Sequence, residues 1–195
     1  MMHGHGLFRP ERAGVLEDEG RLGMQIGEAA LADLLALKGT EDVADLGSGT
    51  GFYTDRVARL TRGIVYAVEL QPEIAAIHLA KGLPPNVRQV LADINELPLP
   101  PGSIDVAYSV ITFHETHGFN GIRTLYDALR PGGRVVIVDW RRDPADDAEG
   151  PPLALRCTKE EVAVLLRPFF ETKRAENVGR YLFAVAAERR EHELP

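Results

Sequence analysis

Three acidic side chains stand where short apolar runs of the chain end. Asp45 is the next-to-last residue of such a run, Glu69 directly follows one, and Asp93 comes two residues after one. Carboxylates accept hydrogen bonds from hydroxyl and amino groups, and they attract cations. If the runs are parallel strands of one sheet, their carboxyl ends meet at one edge. The three carboxylates then converge on a single cleft.

A turn of alternating glycines comes almost directly after Asp45. Gly47, Gly49 and Gly51 occupy every second position, and Ser48 lies between the first two. A turn of this kind from a strand into a helix places backbone N–H groups around a cleft. A β-carbon there would hold a ligand off the backbone and would penalise a positive φ. The same glycines also fit a purely structural connection, so the neighbouring carboxylates decide the interpretation.

The spacing of the carboxylates predicts the parts of a ligand. Glu69 comes about 20 residues after the glycine turn, where an acid accepts hydrogen bonds from both hydroxyls of a ribose. Asp93, with Leu70 and Ile94 beside it, suits the amino group and the ring of an adenine, and Asp45 suits an ammonium group. Together these groups predict S-adenosylmethionine. They fit a dinucleotide less well, because its pyrophosphate needs the helix N-terminus.

Strands that alternate with helices are expected to position these residues. Apolar runs predict strands at 43–46, 64–68, 87–91, 104–111, 134–138, 169–175 and 181–186. Helical spacing predicts a helix at 24–38 that Gly39 ends, and further helices after Gly51, from Pro72, after a cap at Asn120 and after a Thr158/Glu161 capping box. This alternation predicts an α/β fold with a doubly wound, mostly parallel sheet. No helix separates the last two strands, so one of them must run antiparallel.

The bulk properties of the chain restrict its partners. The length of 195 residues suits one domain spanning 1–195, and the formal net charge of −7 argues against a nucleic-acid partner. Cys157 is the only cysteine, which excludes an intrachain disulfide and a cysteine-based zinc site. No apolar run reaches the roughly 20 residues of a membrane span, and the N-terminus lacks a signal-peptide core. We therefore expect a cytoplasmic protein without membrane insertion, and the sequence leaves homo-oligomer formation open.

Several motifs in succession carry a resemblance to a known family. The stretches ADLGSGTG at 44–51, VYAVEL at 65–70, LADI at 91–94 and LRPGGRVVIV at 129–138 resemble the motifs of class I S-adenosylmethionine-dependent methyltransferases. The segment after the fifth strand is similar to small members of the ubiquinone/menaquinone-biosynthesis-like (type 11) branch. The resemblance spans roughly 24–187 and implies a Rossmann-like, seven-stranded sheet with an antiparallel last strand. It also implies that Asp45 and the three glycines hold the methionine part, Glu69 the ribose and Asp93 the adenine.

The same resemblance implies methyl transfer, and the residues favour a small-molecule acceptor. The fourth strand ends in Ser109-Val110-Ile111-Thr112-Phe113-His114, without the Asn/Asp-Pro-Pro-Tyr/Phe pattern that nucleic-acid and glutamine N-methyltransferases use. We assign Ser109 and Ser48 to the cofactor site with the residues above. Residues 141–157 are expected to form a loop over the acceptor side, and residues 1–23 an arm packed on the domain.

His114 and Glu115 are the candidate catalytic residues. They follow the fourth strand on the acceptor side, and a histidine has a suitable pKa for a base that deprotonates the nucleophile. A structural histidine that merely binds backbone beside the cofactor remains an alternative. A metal held by His114, His117, His3 and His5 matches no standard spacing, so we expect no metal site. Phe8, Phe113, Trp140 and Arg141 are possible wall residues of the acceptor pocket, and core packing explains them equally well.

Two other functions remain open at this point. A nicotinamide-dependent oxidoreductase would use the same strand-end cleft, but it would bind NAD(H) in preference to S-adenosylhomocysteine. A non-catalytic module of the same fold would bind the nucleoside and transfer no methyl group.

Overall fold

The computed structural model describes residues 26–116, 119–143 and 150–192, together with Glu11 and Gly14. Its centre is a seven-stranded sheet with the order β3-β2-β1-β4-β5-β7-β6. The strands are β1 (Val43–Leu46), β2 (Val65–Glu69), β3 (Val87–Leu91), β4 (Ile104–Val110), β5 (Leu129–Trp140), β6 (Phe170–Val178) and β7 (Leu182–Arg189). The helices are α1 (Glu28–Leu35), α2 (Thr54–Val57), α3 (Pro72–Lys81), α4 (Ile122–Ala128) and α5 (Lys159–Leu166).

The strand order places a switch point beside β1. This strand pairs in parallel with β2 on one side and with β4 on the other. The chain therefore leaves the centre of the sheet in both directions, and the carboxyl ends of β1 and β4 open onto a crevice. At the far side, β7 lies between β5 and β6 and is antiparallel to both. The predicted doubly wound sheet with an antiparallel last strand is thus confirmed.

Two buried clusters cover the two faces of the sheet. One cluster joins Ala44 and Ala107 to Leu125 of α4 and Leu166 of α5. The other cluster joins the intervening strand positions to residues of α1 and α2, among them Leu35 and Val57. Alternate residues of a strand point to opposite faces, so each central strand is apolar on both sides. This burial on both faces explains why the strands read as continuous apolar runs.

Several predicted boundaries were wrong, and each error has a tertiary cause. Helix α1 ends in a left-handed residue at Ala36 and not at Gly39. The guanidinium of Arg134 donates to the carbonyl oxygen of Leu35 and so satisfies a helix end that the local sequence leaves open. The cap of α4 is Gly121, because Asn95 Oδ1 accepts from the backbone N–H groups of Asn120 and Gly121.

The last three strands of the chain are longer than expected, and the helix after the glycine turn is shorter. Strand β5 begins at Leu129 and includes the Pro131-Gly132-Gly133 segment that predicted a turn. Helix α2 has one turn only. The Thr158/Glu161 capping box of α5 is confirmed, since both of its reciprocal hydrogen bonds are present. Across the described residues, every helix is too short or too polar to cross a bilayer.

Candidate functional site

The glycine turn folds tightly against its own neighbours. The backbone N–H groups of Gly47 and Ser48 both donate to the carbonyl oxygen of Val68, at 2.9 Å each. Gly47 and Gly51 have φ values of 81° and 87°, which side chains rarely adopt. A β-carbon at Gly47 would meet Thr112, and one at Gly51 would meet the ring of His78. At these two positions the glycines make room for protein side chains, whereas the sequence suggested room for a ligand.

Asp45 is a buried carboxylate whose orientation is fixed from two sides. Its Oδ2 accepts hydrogen bonds from Thr54 Oγ1 at 2.6 Å and from Tyr108 Oη at 2.7 Å. The pKa of Asp45 is raised to about 7: burial has the largest effect and raises it, the hydrogen bonds from Thr54 and Tyr108 lower it, and the charges of Glu69 and Asp55 raise it. The carboxylate is therefore held in an acidic, water-poor setting where a cation would be bound strongly.

Glu69 connects the glycine turn to the next helix. Its Oε2 accepts from the backbone N–H of Gly49 at 3.0 Å, and its Oε1 accepts from that of Gln71 at 2.8 Å. Each carboxylate oxygen has two acceptor sites, so capacity remains for further donors such as the hydroxyls of a sugar. Only 7% of Glu69 is exposed, which confines such donors to the crevice.

Asp93 lies just after the end of β3, the strand that neighbours β2. The backbone N–H of Ala92 donates to the carbonyl oxygen of Glu69, which ties the ends of β2 and β3 together. Asp93 Oδ1 accepts from both the backbone and the side chain of Asn95. Ile94 is buried, whereas Leu70 is 42% exposed at the end of β2. An apolar side chain with that exposure is available to cover a flat ring.

The two serines of the predicted cofactor site lie in different places. Ser48 Oγ is buried in the glycine turn, and no hydrogen-bond partner of it appears among the described residues. Ser109 Oγ is likewise buried without such a partner, but it follows Tyr108 on β4. Because Tyr108 contacts Asp45, the alternation of the strand directs Ser109 to the opposite face. The structure thus brings Ser48 to the glycine turn and separates Ser109 from Asp45 by the sheet.

His114 lies just after β4 in a short 3₁₀ turn, Phe113–Thr116, and is bound to the end of β5. Its Nδ1 is 2.8 Å from Asp139 Oδ1, and its backbone N–H donates to Asp139 Oδ2 at 2.8 Å. Asp139 is buried, and its Oδ1 also accepts from the backbone N–H of Trp140. This pairing fixes the imidazole, and it leaves Nε2 as the nitrogen available to a ligand.

The environment of His114 favours its protonated form. Burial lowers its pKa, but the hydrogen bond and charge of Asp139 and the charge of Glu115 outweigh that effect, so the pKa is raised above 6.5. Glu115 Oε1 lies 3.8 Å from Nε2 of His114. The two candidate catalytic residues are therefore adjacent in space. Sequence reasoning missed Asp139 as a partner, although its place at the end of a parallel strand was a usable signal.

A cavity of about 360 Å³ opens beside His114. Apolar side chains supply much of its wall: Phe113, Phe119, Ala154, Leu155, Val162 and Leu165. The polar lining residues are His114, Thr116, Arg142, Arg156, Cys157 and Glu161. The described part of the 141–157 segment thus contributes to the wall, with a short 3₁₀ turn at Leu153–Leu155. The size and the largely apolar lining are typical of a site for a small organic molecule.

Arg156 was not predicted from the sequence, and it is 1% exposed. Its Nε donates to the carbonyl oxygen of Pro151 at 2.7 Å, and its guanidinium lies 5.6 Å from the ring centroid of Trp140. Its Nη1 is 3.4 Å from the carbonyl oxygen of Arg141. Trp140 and Arg141 therefore contact a residue of the cavity wall. A basic residue in a proline-rich segment is usually exposed, so no sequence signal pointed to this burial.

The remaining candidates concern the N-terminal region and a metal. Phe8, His3, His5 and His117, like most of the expected arm at 1–23, lie outside the described residues. Within the described ranges, no group of three or more histidine, cysteine or acidic side chains is arranged to hold a metal ion.

Comparison with known proteins gives consistent matches. A family model described as a methyltransferase domain matches residues 44–137. The ubiquinone/menaquinone biosynthesis C-methyltransferase UbiE of Pseudomonas paraeruginosa is 28% identical over 117 residues, which are 56% of this chain and 46% of that protein. The UbiE protein of Vibrio campbellii is 29% identical over 111 residues, 53% of this chain and 43% of that protein. The chain spans about half the length of the curated relatives that it matches.

Solved structures extend the likeness over most of the chain. The crystal structure of an S-adenosylmethionine-dependent methyltransferase from Aquifex aeolicus is 29% identical, with a TM-score of 0.86, and the match covers 94% of this chain and 100% of that one. The cyclase SpnF is 19% identical with a TM-score of 0.72, covering 83% of this chain and 79% of that one. The second likeness concerns the fold alone, so the reaction has to be argued from the site.

Proposed function

Because the chain belongs to the class I S-adenosylmethionine-dependent methyltransferases of the UbiE-like type, we propose that it transfers a methyl group to a small-molecule acceptor by in-line displacement. The cofactor implied by the family is S-adenosylmethionine. The observation that carries the proposal is the position of His114, which is paired with Asp139 and lines a cavity of about 360 Å³ just past the end of β4.

The charges of the crevice support a cationic cofactor. The negative charges of Glu69 and Asp55 lie close enough to Asp45 to raise its pKa. A sulfonium and an ammonium group would be stabilised there, whereas the pyrophosphate of a dinucleotide would bring more negative charge to an acidic site. Helix α2, with its single turn, also offers a weak dipole to a pyrophosphate. These features favour S-adenosylmethionine over the nicotinamide alternative.

The other groups of the crevice fit a nucleoside. Glu69 would accept the ribose hydroxyls with the capacity left beside its two backbone bonds. Asp93 would accept from the adenine amino group, with Leu70 and Ile94 against the ring. Ser48 Oγ, a buried hydroxyl without a partner among the described residues, is suited to a polar atom of the ligand in the glycine turn.

When bound, S-adenosylmethionine supplies an electrophilic methyl group on a cationic sulfur, and the sulfur keeps the electron pair of the broken bond. The residues of the chain then have to align the acceptor and remove its proton. His114 Nε2 accepts that proton, while Asp139 orients the ring and stabilises the imidazolium that forms. Glu115 adds negative charge near Nε2 and strengthens the base.

The cavity supports the choice of a small-molecule acceptor. Its volume of about 360 Å³ suits a compound of one or two rings, and apolar side chains supply much of its wall. The matched relatives are named as C-methyltransferases of ubiquinone and menaquinone biosynthesis, which also favours an organic acceptor. We expect the reaction to take place in the cytoplasm, without a nucleic-acid partner.

Binding and transfer assays test the proposal together. Calorimetry of the full chain with S-adenosylhomocysteine should give a saturable heat, and NADH should give much less. Methyl-labelled S-adenosylmethionine should then label members of a panel of small phenols, enols and amines. A preference for NADH would favour the oxidoreductase. Binding of S-adenosylhomocysteine without transfer to any compound in the panel would favour a non-catalytic module.

A further inference from the structure

One asparagine side chain connects the proposed adenine site to the start of helix α4. Asn95 lies in the short 3₁₀ turn Ile94–Glu96 that follows Asp93. Its Nδ2 donates to Oδ1 of Asp93 at 3.1 Å. Its Oδ1 accepts from the backbone N–H groups of Asn120 at 2.9 Å and Gly121 at 3.2 Å. Because two N–H groups both point at one end of the amide, that end must be the oxygen, and the nitrogen faces the carboxylate.

On one side of this link, Asn95 leaves half of the Asp93 carboxylate available to a ligand. Oδ1 of Asp93 accepts from both the backbone N–H and Nδ2 of Asn95, at 2.8 and 3.1 Å. In the part of the chain that the structure describes, Oδ2 of Asp93 receives no hydrogen bond. The amino group of an adenine needs one such acceptor. The two bonds from Asn95 therefore fix Oδ1 and leave Oδ2 for the adenine.

On the other side, Asn95 fixes the residues that lead into α4. Gly121, which directly precedes the helix, has no side chain that could hold the turn by itself. A β-carbon at Gly121 would lie 2.5 Å from the carbonyl oxygen of Ile94 and 2.6 Å from Cα of Asn95, so the two backbones are in direct contact. The position of the turn after β3 and the position of the helix start therefore depend on each other.

The residues that lead into α4 also form part of the cavity wall. Phe119 directly precedes Asn120, is buried, and lines the cavity. Its ring centroid lies 5.6 Å from that of Phe113, and Phe113 and His114 both line the same cavity. Contacts thus lead from the proposed adenine acceptor, through a single amide, to a wall of the cavity.

We propose that Asn95 couples cofactor binding to the acceptor cavity. Its amide holds Asp93 for the adenine amino group, and a bound adenine in turn holds the amide, which keeps the segment 119–121 in place. The inference rests on the proposed function, because it takes the crevice as the cofactor site and the cavity as the acceptor site. When one ligand suppresses a local opening, it lowers the ordering cost of the other, so each ligand raises the affinity for its partner. Asn95 is then a positioning residue, since it acts through Asp93 and Phe119.

Hydrogen exchange of the full chain, followed by NMR, measures the coupling without an acceptor. Saturating S-adenosylhomocysteine should slow exchange of the Asn120 and Gly121 amides about fivefold or more. These amides bond to Asn95 and not to the proposed adenine, so direct shielding would not explain the slowing. In Asn95→Ala the amides lose their acceptor, and the ligand should change their exchange by less than about twofold.

The variant Asn95→Asp breaks only one side of the link. It keeps an oxygen for the N–H groups of Asn120 and Gly121, but it places a second carboxylate beside Asp93, and like charges repel. Exchange of the two amides without a ligand should therefore resemble that of the unmodified protein. The slowing by S-adenosylhomocysteine should be lost, as in Asn95→Ala.

The preference of the crevice for one base gives a second measurement. S-inosylhomocysteine carries a carbonyl oxygen where S-adenosylhomocysteine carries the amino group. In calorimetry, the unmodified protein should bind the adenine compound about tenfold more tightly, because a carboxylate oxygen has no donor to accept from at that carbonyl. In Asn95→Ala the preference should fall to about threefold or less, through weaker binding of the adenine compound.

Thr124→Ala is the matched control. It removes the hydrogen bond that Thr124 Oγ1 donates to the carbonyl oxygen of Gly121 at the same helix start, and it leaves Asn95 intact. A general weakening of this helix start should therefore leave the base preference and the slowing by the ligand as they are in the unmodified protein.

The proposed function and the role of Asn95 fail separately. If S-adenosylhomocysteine does not bind, the proposed function is wrong and the coupling falls with it. If S-adenosylhomocysteine binds but does not slow exchange at Asn120 and Gly121, the proposed function stands and the role of Asn95 is wrong. That role is also wrong if Asn95→Ala retains either the slowing or the preference, or if Thr124→Ala loses them to the same extent.

Discussion

Asp139 binds His114 twice, once through the ring and once through the backbone. Nδ1 of His114 lies 2.8 Å from Oδ1 of Asp139, and the backbone N–H of His114 donates to Oδ2 at the same distance. The end of β5 thereby fixes the turn that follows β4. An imidazole positioned in this way has a defined tautomer and direction, and its pKa depends on the carboxylate.

This relationship predicts the pH dependence of methyl transfer. The pKa of His114 is raised above 6.5 by Asp139 and Glu115 against the opposing effect of burial. Only the neutral imidazole accepts a proton, so the rate should rise with pH through that pKa. His114→Ala should lower kcat by about a hundredfold or more. Initial-rate measurements across the pH range would check both statements.

The variant Asp139→Asn tests whether Asp139 acts on the orientation and pKa of His114 or only packs against it. The variant removes the charge that raises the pKa, so the acidic limb of the profile should move to lower pH while the plateau rate falls. KM for S-adenosylmethionine should change little, since the proposed role of Asp139 concerns the acceptor. His192→Ala, an exposed histidine near the end of the described chain, is the control. An unchanged profile in Asp139→Asn would show that His114 is not the base.

Asp45 predicts a pH dependence of cofactor binding. Its pKa is raised to about 7 by burial and by neighbouring acids. A bound ammonium group favours the ionised carboxylate, so affinity should be constant above about pH 8 and weaken below pH 7. One unit below the pKa, the dissociation constant for S-adenosylmethionine should be about tenfold higher than on the plateau.

Asp45→Asn keeps an acceptor for Thr54 and Tyr108 but removes the titration. Its affinity should be lower than that of the unmodified protein above pH 7, and it should not vary with pH in this way. Calorimetric titrations with S-adenosylhomocysteine, which retains the amino-acid group, would measure both constants. A parallel pH dependence in the variant would assign the effect to another residue.

The same carboxylate predicts that stability without a ligand falls as pH rises. The pKa of Asp45 is raised in the folded chain from its ordinary value of 3.8 to about 7, so between these pH values the folded chain holds a proton that the unfolded chain has lost. The contribution of protonated Asp45 to the free energy of unfolding is therefore present at low pH and is lost as the pH rises to about 7. It amounts to on the order of 4 kcal/mol for full ionisation.

Chemical denaturation at about pH 5 and about pH 8 would measure this effect. The difference in the free energy of unfolding between Asp45→Asn and the unmodified protein should move in favour of the variant at the higher pH. A change in favour of the unmodified protein would mean that the ionised carboxylate is stabilised within the fold.

Much of the crevice was predictable because its signals are local. Glu69 and Asp93 end or follow strands that the apolar runs mark, and parallel strands bring such ends to one edge. The His114–Asp139 pair is different, because 25 positions separate the two residues and only the register of β4 with β5 brings them together. Arg156 is buried by contacts with Pro151 and Trp140, which no pattern of residue types specifies.

Gly51 offers a test of what the alternating glycines contribute. It has a φ of 87°, and a β-carbon there would meet the buried ring of His78, whose Nε2 is 2.9 Å from Asp55 Oδ1. Gly51→Ala therefore combines an unfavourable backbone conformation with a steric conflict inside the fold. We expect a loss of about 2 kcal/mol or more in the free energy of unfolding, and weaker binding of S-adenosylhomocysteine.

Gly132→Ala is the matched control, because Gly132 has a φ of 75° and open space around its β-position. It should cost about 1 kcal/mol, from the backbone conformation alone, and should leave binding unchanged. The loss of stability is expected to be larger in Gly51→Ala than in Gly132→Ala. The double variant Gly51→Ala/His78→Ala should recover part of that difference, since the two changes share one contact. Denaturant titrations of the three variants would separate the cost of the backbone conformation from the cost of the steric conflict with His78. Equal losses at Gly51 and Gly132 would show that the turn moves away from His78 at little cost.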